Sequence, residues 1–334
     1  MVGQQFVLQL AGHPWFRIAW LGASQRSEGK KYRDVAWRLS APLPEEVADL
    51  TVESPIPGRA PRLVFSALDS SVAGDLERDF ATSGHIVVSN ARNYRMEQSV
   101  PLLIPEVNPD HLRLIPGQQQ AKGWKGAVVT NPNCSTVILA MSLAALRQFE
   151  PKAATVTTLQ ATSGAGYPGV ASLDIIGNVI PFIDGEEEKI ESETRKILGS
   201  LRSDRVEPHP MVLSAQTTRV PVVDGHTAMV SVSFGAKPSR DDLIAAFSQF
   251  SGRPQQQGLP SAPARPIICL TQPNRPQPRL DVERERGMAV FIGRVRRCPV
   301  LDYKFVALGH NTIRGAAGAA VLNAELMMAE ALLD

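Results

Sequence analysis

The residue in this chain best suited to nucleophilic chemistry is Cys134, in the stretch Asn131-Pro132-Asn133-Cys134-Ser135-Thr136. The apolar run before it, Gly126 to Thr130, reads as a buried strand. The run after it, Val137 to Leu146, is too long and too rich in Ala and Leu for a strand and reads as a helix. Asn-Pro-Asn supplies the turn between them. Cys134 therefore falls at or beside a helix N-terminus, where unpaired N–H groups and the helix dipole favour a thiolate. The same N–H groups can hold a negative oxygen on a substrate attacked by sulfur. The plain alternative is a small apolar residue packed at a turn.

The elements that position such a residue can be read outward from it. Val2, Phe6, Val7 and Leu10 share one helical face, and His13-Pro14 stops that helix. Phe16 to Gly22, Arg62 to Leu68, and His85 to Ala91 read as strands. Ser70 to Ser83 reads as a helix with Val72, Leu76 and Phe80 on one face. Strands alternating with helices predict a parallel sheet, whose ligands bind at the carboxyl ends of its strands. Ser66, Ser89, Asn90, Arg92 and Cys134 all lie at such ends. At the tip of the second strand, Ala23-Ser24-Gln25-Arg26-Ser27 carries no carboxylate. In a dinucleotide fold an acid there suits NAD, whereas Arg with hydroxyls suits the 2′-phosphate of NADP. A solvated loop is the alternative.

Beyond the Cys134 helix the pattern changes. Ala153 to Gln160, Met211 to Val222, Thr227 to Phe234, Ile267 to Thr271, Met288 to Arg296 and Leu301 to Leu308 read as strands. The helices among them are Glu186 to Gly199, which is charged, and Arg240 to Phe250. This predicts a second, α+β domain with a mixed or antiparallel sheet. Gly252 to Pro278 is rich in proline and reads as a long irregular arm. A last helix runs from about Ile313 to Leu333. Its small first turn (Gly315, Ala316, Ala317, Gly318) allows close approach of backbone to a ligand or another helix.

The bulk composition excludes several classes. A net charge of +2 with mixed signs argues against a nucleic-acid footprint. No apolar run approaches the roughly 18–20 residues of a membrane span. Three scattered cysteines, Cys134, Cys269 and Cys298, suit a reducing compartment better than a disulfide framework. No metal-ligand spacing appears among Cys and His, so no metal is expected. A cytoplasmic protein is the expectation.

The segments VGQQFV, ASQRSEGKKY, SNARNYR, NPNCST, LQATSGAGYPG, GEEEKIESETRKIL, RVPVVDGH and GHNTIRGAAGAAVLNAEL, in this order from Val2 to Leu326, resemble the aspartate-β-semialdehyde dehydrogenases of the fungal and archaeal branch. The resemblance implies an NADP-dependent, phosphorylating aldehyde dehydrogenase. It interconverts L-aspartate 4-semialdehyde, phosphate and NADP⁺ with 4-phospho-L-aspartate and NADPH, in the biosynthesis of lysine, threonine and methionine. It implies a Rossmann-like doubly wound domain over residues 1–132, completed by a C-terminal helix over 311–334. A catalytic and dimerisation domain with a mixed sheet would span 133–310, in a homodimer or homotetramer. By resemblance Cys134 is the nucleophile that forms an acyl-thioester, His226 the acid/base and Gln160 the residue orienting substrate at the thiol. Arg219 would grip the substrate α-carboxylate, Glu187 face the α-amino group, and Arg92 with Lys189 hold the phosphoryl group beside Asn133. NADP would lie against Met1, Val2, Ser24, Arg26, Ser27, Ser66, Ser163, Gly164 and Asn311.

Each residue has a plainer reading. His226 is a loop histidine, Glu186 to Lys189 a solvated helix face, and Arg219 an edge-strand gatekeeper. The chain departs from the family in two places. The family places a strand and a Gly-Ala-Thr-Gly loop before the Val-Gly-Gln helix, and Met1 stands just after that loop. A weakened first domain with little NADPH affinity is the corresponding expectation. Thr218 stands where Asn is common. The rival readings are an N-acetyl-γ-glutamyl-phosphate reductase, a cysteine hydrolase built on Cys134 and His226, and a catalytically inactive homologue.

Overall fold

A computed structural model describes residues 1–333. The first part of the chain runs α1 (Val2–Leu10), β1 (Leu21–Gly22), α2 (Glu45–Ala48), β2 (Val52–Glu53), β3 (Leu63–Ser66), α3 (Ser70–Thr82), β4 (Ile86–Ser89), α4 (Ile115–Lys122) and β5 (Ala127–Thr130). Strands β3, β4 and β5 are adjacent and parallel, as their alternation with helices predicts. Their register brings Ser66, Ser89 and Thr130 level. The loops that follow these three residues therefore leave the sheet along one edge.

Two expectations for this part need correction. Phe16 to Gly22 is not a full strand: only Leu21–Gly22 pairs, with Val52–Glu53. Arg17 to Trp20 and Leu63 to Leu68 face each other across a cavity of about 510 Å³. No described strand lies between these walls, so Arg17 to Trp20 has no ladder to join. The inward face of α3 is Ala73, Glu77, Phe80 and Ala81, while Val72 is exposed. That face turns around Glu77, whose carboxylate accepts the hydroxyls of Ser66 at 2.6 Å and Ser89 at 2.7 Å.

The remainder comprises α5 (Cys134–Ala145), β6 (Pro151–Gln160), α6 (Ser172–Ile175), α7 (Glu186–Ile197), β7 (Ser200–Leu201), β8 (Val206–Glu207), β9 (Val212–Arg219), β10 (His226–Phe234), α8 (Arg240–Gln249), α9 (Arg253–Gln256), β11 (Ile267–Leu270), α10 (Pro278–Asp281), β12 (Val290–Arg297), β13 (Tyr303–Gly309) and α11 (Gly318–Ala329). Six of these strands form one mixed sheet in the order β11-β12-β13-β10-β6-β9. The segment 252–278 is less irregular than its prolines suggest, since it holds α9 and the parallel edge strand β11.

Helix α5 is apolar on every side and buried over nearly all of its length: Ile138, Leu139, Met141 and Leu143 are all within the core shared with the large sheet. A helix of this composition can only be stable between layers. The N-terminus of α5, and with it Cys134, is thereby fixed between the two parts of the chain. The closing helix α11 packs against α1 and β4, so the chain returns to its first part; Asp334 lies outside the described residues. Before α11 stands a short π-helical turn, Ile313–Ala317. Its Arg314 makes a fully buried two-pronged pair with Glu106, at 2.8 and 2.6 Å.

Candidate active site

Asn133 is the N-cap of α5. Its Oδ1 accepts the N–H groups of Ser135 at 2.9 Å and Thr136 at 3.1 Å, as a capping Asn is suited to do. Its own N–H donates to Glu193 Oε2 at 2.6 Å, and its Nδ2 donates to Glu186 Oε1 at 2.7 Å. Glu186 Oε1 also accepts Gln160 Nε2 at 3.2 Å, and its Oε2 faces Lys189 Nζ at 3.3 Å. Asn133, Gln160, Glu186 and Lys189 thus form one cluster around the first turn of α5.

Cys134 is half-buried beside them. The expected thiolate is not what this setting favours. Burial, reinforced by the Glu186 carboxylate, pushes the thiol up to about 12, against the pull of Arg95, Arg219 and the Ser135 N–H. The helix N-terminus acts in the expected direction but desolvation outweighs it. Asn133 Oδ1 already occupies two of the amides on which the thiolate argument relied.

On the other side lies the loop after β6. Arg219, at the end of β9, is buried and donates from Nη1 to Ala161 O at 2.7 Å; it is no exposed gatekeeper. His226, the first residue of β10, is 1 % exposed. The Ala161 N–H donates to its Nδ1 at 3.0 Å, while Nε2 has no partner. Burial, with Arg219 and His310 nearby, lowers its pKa to about 3. A Cβ on Gly164 would stand 2.9 Å from both His226 Nε2 and Arg219 Nη1. Glycine at 164 therefore leaves open a space onto which an imidazole and a guanidinium converge. Gly315 closes on Cys134: a Cβ there would lie 2.6 Å from Cys134 Cβ. The small first turn of the last helix meets this need for close approach.

Three of the expected residues are placed differently. Glu187 is turned to the free edge of β9, where its Oε1 accepts the Thr217 N–H at 2.9 Å. Glu191, one turn on, does the same for Ala215. The pair satisfies edge-strand donors that would otherwise be open, and Glu186 stands in the cluster instead. Arg92 is exposed. Arg95 is the buried arginine of that loop, paired with Glu193 at 3.0 Å and donating to Asn90 O. The Ser66 hydroxyl is committed to Glu77. Sequence reasoning missed Glu186, Glu193 and Arg95. They sit one, two or three positions from residues of the same type, and only the helix and loop registers choose between them.

Of the residues expected to hold a dinucleotide, Met1, Ser24, Ser66 and Ser163 border two cavities near the first turn of α1, whose N-terminus has no side-chain cap, while Val2, Arg26, Ser27, Gly164 and Asn311 line neither. One, of about 330 Å³, is lined by Met1, Ser163, Gly166 and Val223. The other, the 510 Å³ cavity, is lined by Gly3, Ser24 and Ser66 among others. Open amides at a helix start suit a pyrophosphate. Asn311 joins the two sides of the loop: its Nδ2 donates to Ser163 Oγ at 2.7 Å and its Oδ1 accepts the Gly225 N–H at 2.8 Å. Ser24 and Arg26 are exposed at a turn closed by Ser27 N–H to Ser24 O. The residues present fit such a group. Among the described residues no cluster of metal-ligating side chains occurs.

Residues 1–115 match the family model described as semialdehyde dehydrogenase, NAD binding domain, and residues 143–314 match semialdehyde dehydrogenase, dimerisation domain. The chain is 46% identical to an aspartate-semialdehyde dehydrogenase of Archaeoglobus fulgidus, over 100% of this chain and 96% of that protein. It is 48% identical to one of Cryptococcus neoformans, over 100% and 95%. A crystal structure of aspartate semialdehyde dehydrogenase with NADP from Candida albicans superposes with a TM-score of 0.92 at 44% identity, covering 99% of this chain and 96% of that one.

Proposed function

Because the chain belongs to the aspartate-semialdehyde dehydrogenase family, we propose that the cluster around Cys134 is its catalytic centre. The reaction is the NADP-dependent reductive dephosphorylation of 4-phospho-L-aspartate to L-aspartate 4-semialdehyde, run towards amino-acid biosynthesis. The observation that carries the site reading is the arrangement itself. A thiol at a capped helix start meets a buried carboxylate, a buried guanidinium and a buried imidazole with one free nitrogen.

Cys134 Sγ adds to the acyl carbon and expels phosphate, leaving a thioester. Gln160, its amide held by Thr158 Oγ1 at 3.2 Å and by Glu186, is assigned to orient the substrate for that attack. Arg219 receives the α-carboxylate with a fork of donors. Glu186 takes the part expected of Glu187, a carboxylate facing the α-ammonium. Lys189 and the loop of Arg92 and Arg95 supply positive charge for the phosphoryl group. NADPH, when bound, supplies the hydride that reduces the thioester. Met1, Val2, Ser24, Arg26, Ser27, Ser163, Gly164 and Asn311 are the residues proposed to hold it.

The helices α5, α7 and α8 lie against the large sheet, while Val212 and Met229 on its strands are 69% and 49% exposed. This bare face lies within the dimerisation domain and is our candidate for the contact in a homodimer or homotetramer. Among the described residues no helix is long and apolar enough to cross a membrane. Three free thiols suit a reducing cytoplasm.

The test is Cys134→Ser. The hydroxyl is a far weaker nucleophile, so turnover of semialdehyde with phosphate and NADP⁺ should vanish while circular dichroism and melting stay close to wild type. Substantial turnover in a folded Ser variant removes Cys134 from its role.

A further inference from the structure

We propose that Lys196 is a positioning residue: its ammonium clamps the loop 91–100, and with it Arg92 and Arg95, to helix α7, so that the loop stands preformed for a phosphoryl group. This rests on the phosphoryl role given to that loop above and names what holds it in shape.

The chain leaves β4 at Ser89 and runs through successive turns to Val100. The Arg95 N–H donates to Arg92 O at 3.2 Å, that of Glu97 to Tyr94 O at 3.1 Å and that of Val100 to Glu97 O at 3.2 Å. Such turns satisfy only part of their own backbone, and a carbonyl left over in a buried loop needs a donor from elsewhere. Lys196, buried on α7, supplies it. Its Nζ donates to Arg95 O at 2.7 Å, Glu97 O at 2.7 Å and Val100 O at 2.9 Å. An ammonium has three N–H groups, and here three carbonyls take one each.

Taking an ammonium out of water is costly, and burial lowers its pKa to about 8. Glu193 and Glu97 act the other way, so Lys196 keeps its charge and all three donors at neutral pH. Helix α7 already buries Ile190, Thr194 and Ile197, so an ammonium is not needed to pack it. What the ammonium adds is a hold on one loop. A neutral side chain of similar length would fill the same volume and leave the carbonyls bare.

Glu193, three residues earlier, shares the helix face. It pairs with Arg95 Nη1 at 3.0 Å and accepts the Asn133 N–H at 2.6 Å. Helix α7 thus grips Arg95 at both ends, the guanidinium through Glu193 and the main chain through Lys196. The same helix places Glu186 and Lys189 in the cluster around the first turn of α5. The loop and the substrate groups are therefore set in one frame. Without the ammonium, Glu193 still holds the guanidinium, but the backbone beneath it is free to shift.

The experiment compares Lys196→Met, Lys196→Gln and Lys196→Arg in the oxidation of semialdehyde with inorganic phosphate and NADP⁺. In the Met and Gln variants the KM for phosphate should rise about tenfold or more, the worth of a lost charge-assisted contact. The KM for semialdehyde should move by less than about threefold, since Arg219 and Glu186 are untouched. Arg keeps the charge and enough donors, and should recover most of the phosphate KM. Hydrogen exchange on the same proteins should show the Arg95, Glu97 and Val100 amides losing protection in the Met and Gln variants, with Val230 of β10 unchanged. Both KM values rising together, or a folded Arg variant no better than Met, would make Lys196 a general packing residue and overturn the proposal. Lost protection with an unchanged phosphate KM would overturn the phosphoryl role of the loop while leaving the clamp in place. The clamp itself is read in the wild type. With ¹⁵N-lysine labelling and the variants to assign it, the Lys196 ammonium should exchange its protons slowly at neutral pH. Exchange as fast as that of a surface lysine overturns the proposal even if no variant folds.

Discussion

Three consecutive glutamates begin α7, and one position among them separates two different roles. Gly185 precedes them with φ +59, in the left-handed region that glycine tolerates. This sharp entry sets the rotation of the helix, so that Glu186 points at Asn133 and Gln160 while Glu187 points at the β9 edge. Composition identifies a charged helix near the site; it carries no information on which carboxylate turns inward, because the register is fixed by the turn. Glu186→Gln should therefore raise KM for the semialdehyde about ten- to hundredfold, the worth of one charge-assisted contact. Glu187→Gln should shift KM by less than about threefold and destabilise by about 1 kcal/mol, since Thr217 N–H keeps only a neutral acceptor. Kinetics and melts on the two variants decide it, and the reverse pattern would return the substrate role to Glu187.

The elements that could be read from sequence are those whose burial pattern is self-contained. β5 and α5 announce themselves as an apolar run, a Pro-Asn turn and a longer apolar run, and both formed where expected. Phe16 to Gly22 has the same apolar character but a strand also needs a neighbour, and only its last two residues have one. Likewise the start of the last helix read as ordinary α-helix, whereas Ile313–Ala317 is a π-turn. Its Arg314 pairs with Glu106 of a distant loop, a contact which no local pattern reveals. The π-turn brings Gly315 against Cys134. Gly315→Ala would put a methyl group 2.6 Å from Cys134 Cβ. Overpacking of this kind costs about 1–3 kcal/mol, and displacing a reacting atom by about 1 Å costs on the order of 10²-fold in rate. The control is Gly318→Ala, where the nearest atom is the flexible end of Met288. It should lower the melting temperature without moving kcat comparably. Equal kcat losses in the two variants would show that the approach to Cys134 is not what matters.

At the scale of the whole molecule, the same burial that shapes the site sets how the fold responds to acid. His226 and His111 are both held neutral, at about 3 and about 4 against an ordinary 6.5, by burial before any other cause. His111 lies remote from the chemistry, its Nδ1 2.9 Å from Asn108 Nδ2. In the window between these values and 6.5, the unfolded chain binds protons that the folded chain does not. Stability therefore rises with pH there, is fully present above 6.5, and is lost as pH falls towards 4 and 3. Each histidine contributes up to about 1.4 kcal/mol per pH unit within its window. Glu77 acts with the opposite sign: burial raises it above the usual carboxylate range, so above about 4.5 it makes the fold slightly less stable as pH rises. Two histidines outweigh one carboxyl, and melts from about pH 7.5 to 4.5 should fall steadily below 6.5. Replacing His226 with Gln should flatten that slope, and so should replacing His111 with Asn. Since the two side chains share no partner, the effects should add. A wild-type melting temperature that stays level from pH 6.5 to 4.5, or a slope unchanged in both variants, would mean that acid sensitivity arises elsewhere than in these buried rings.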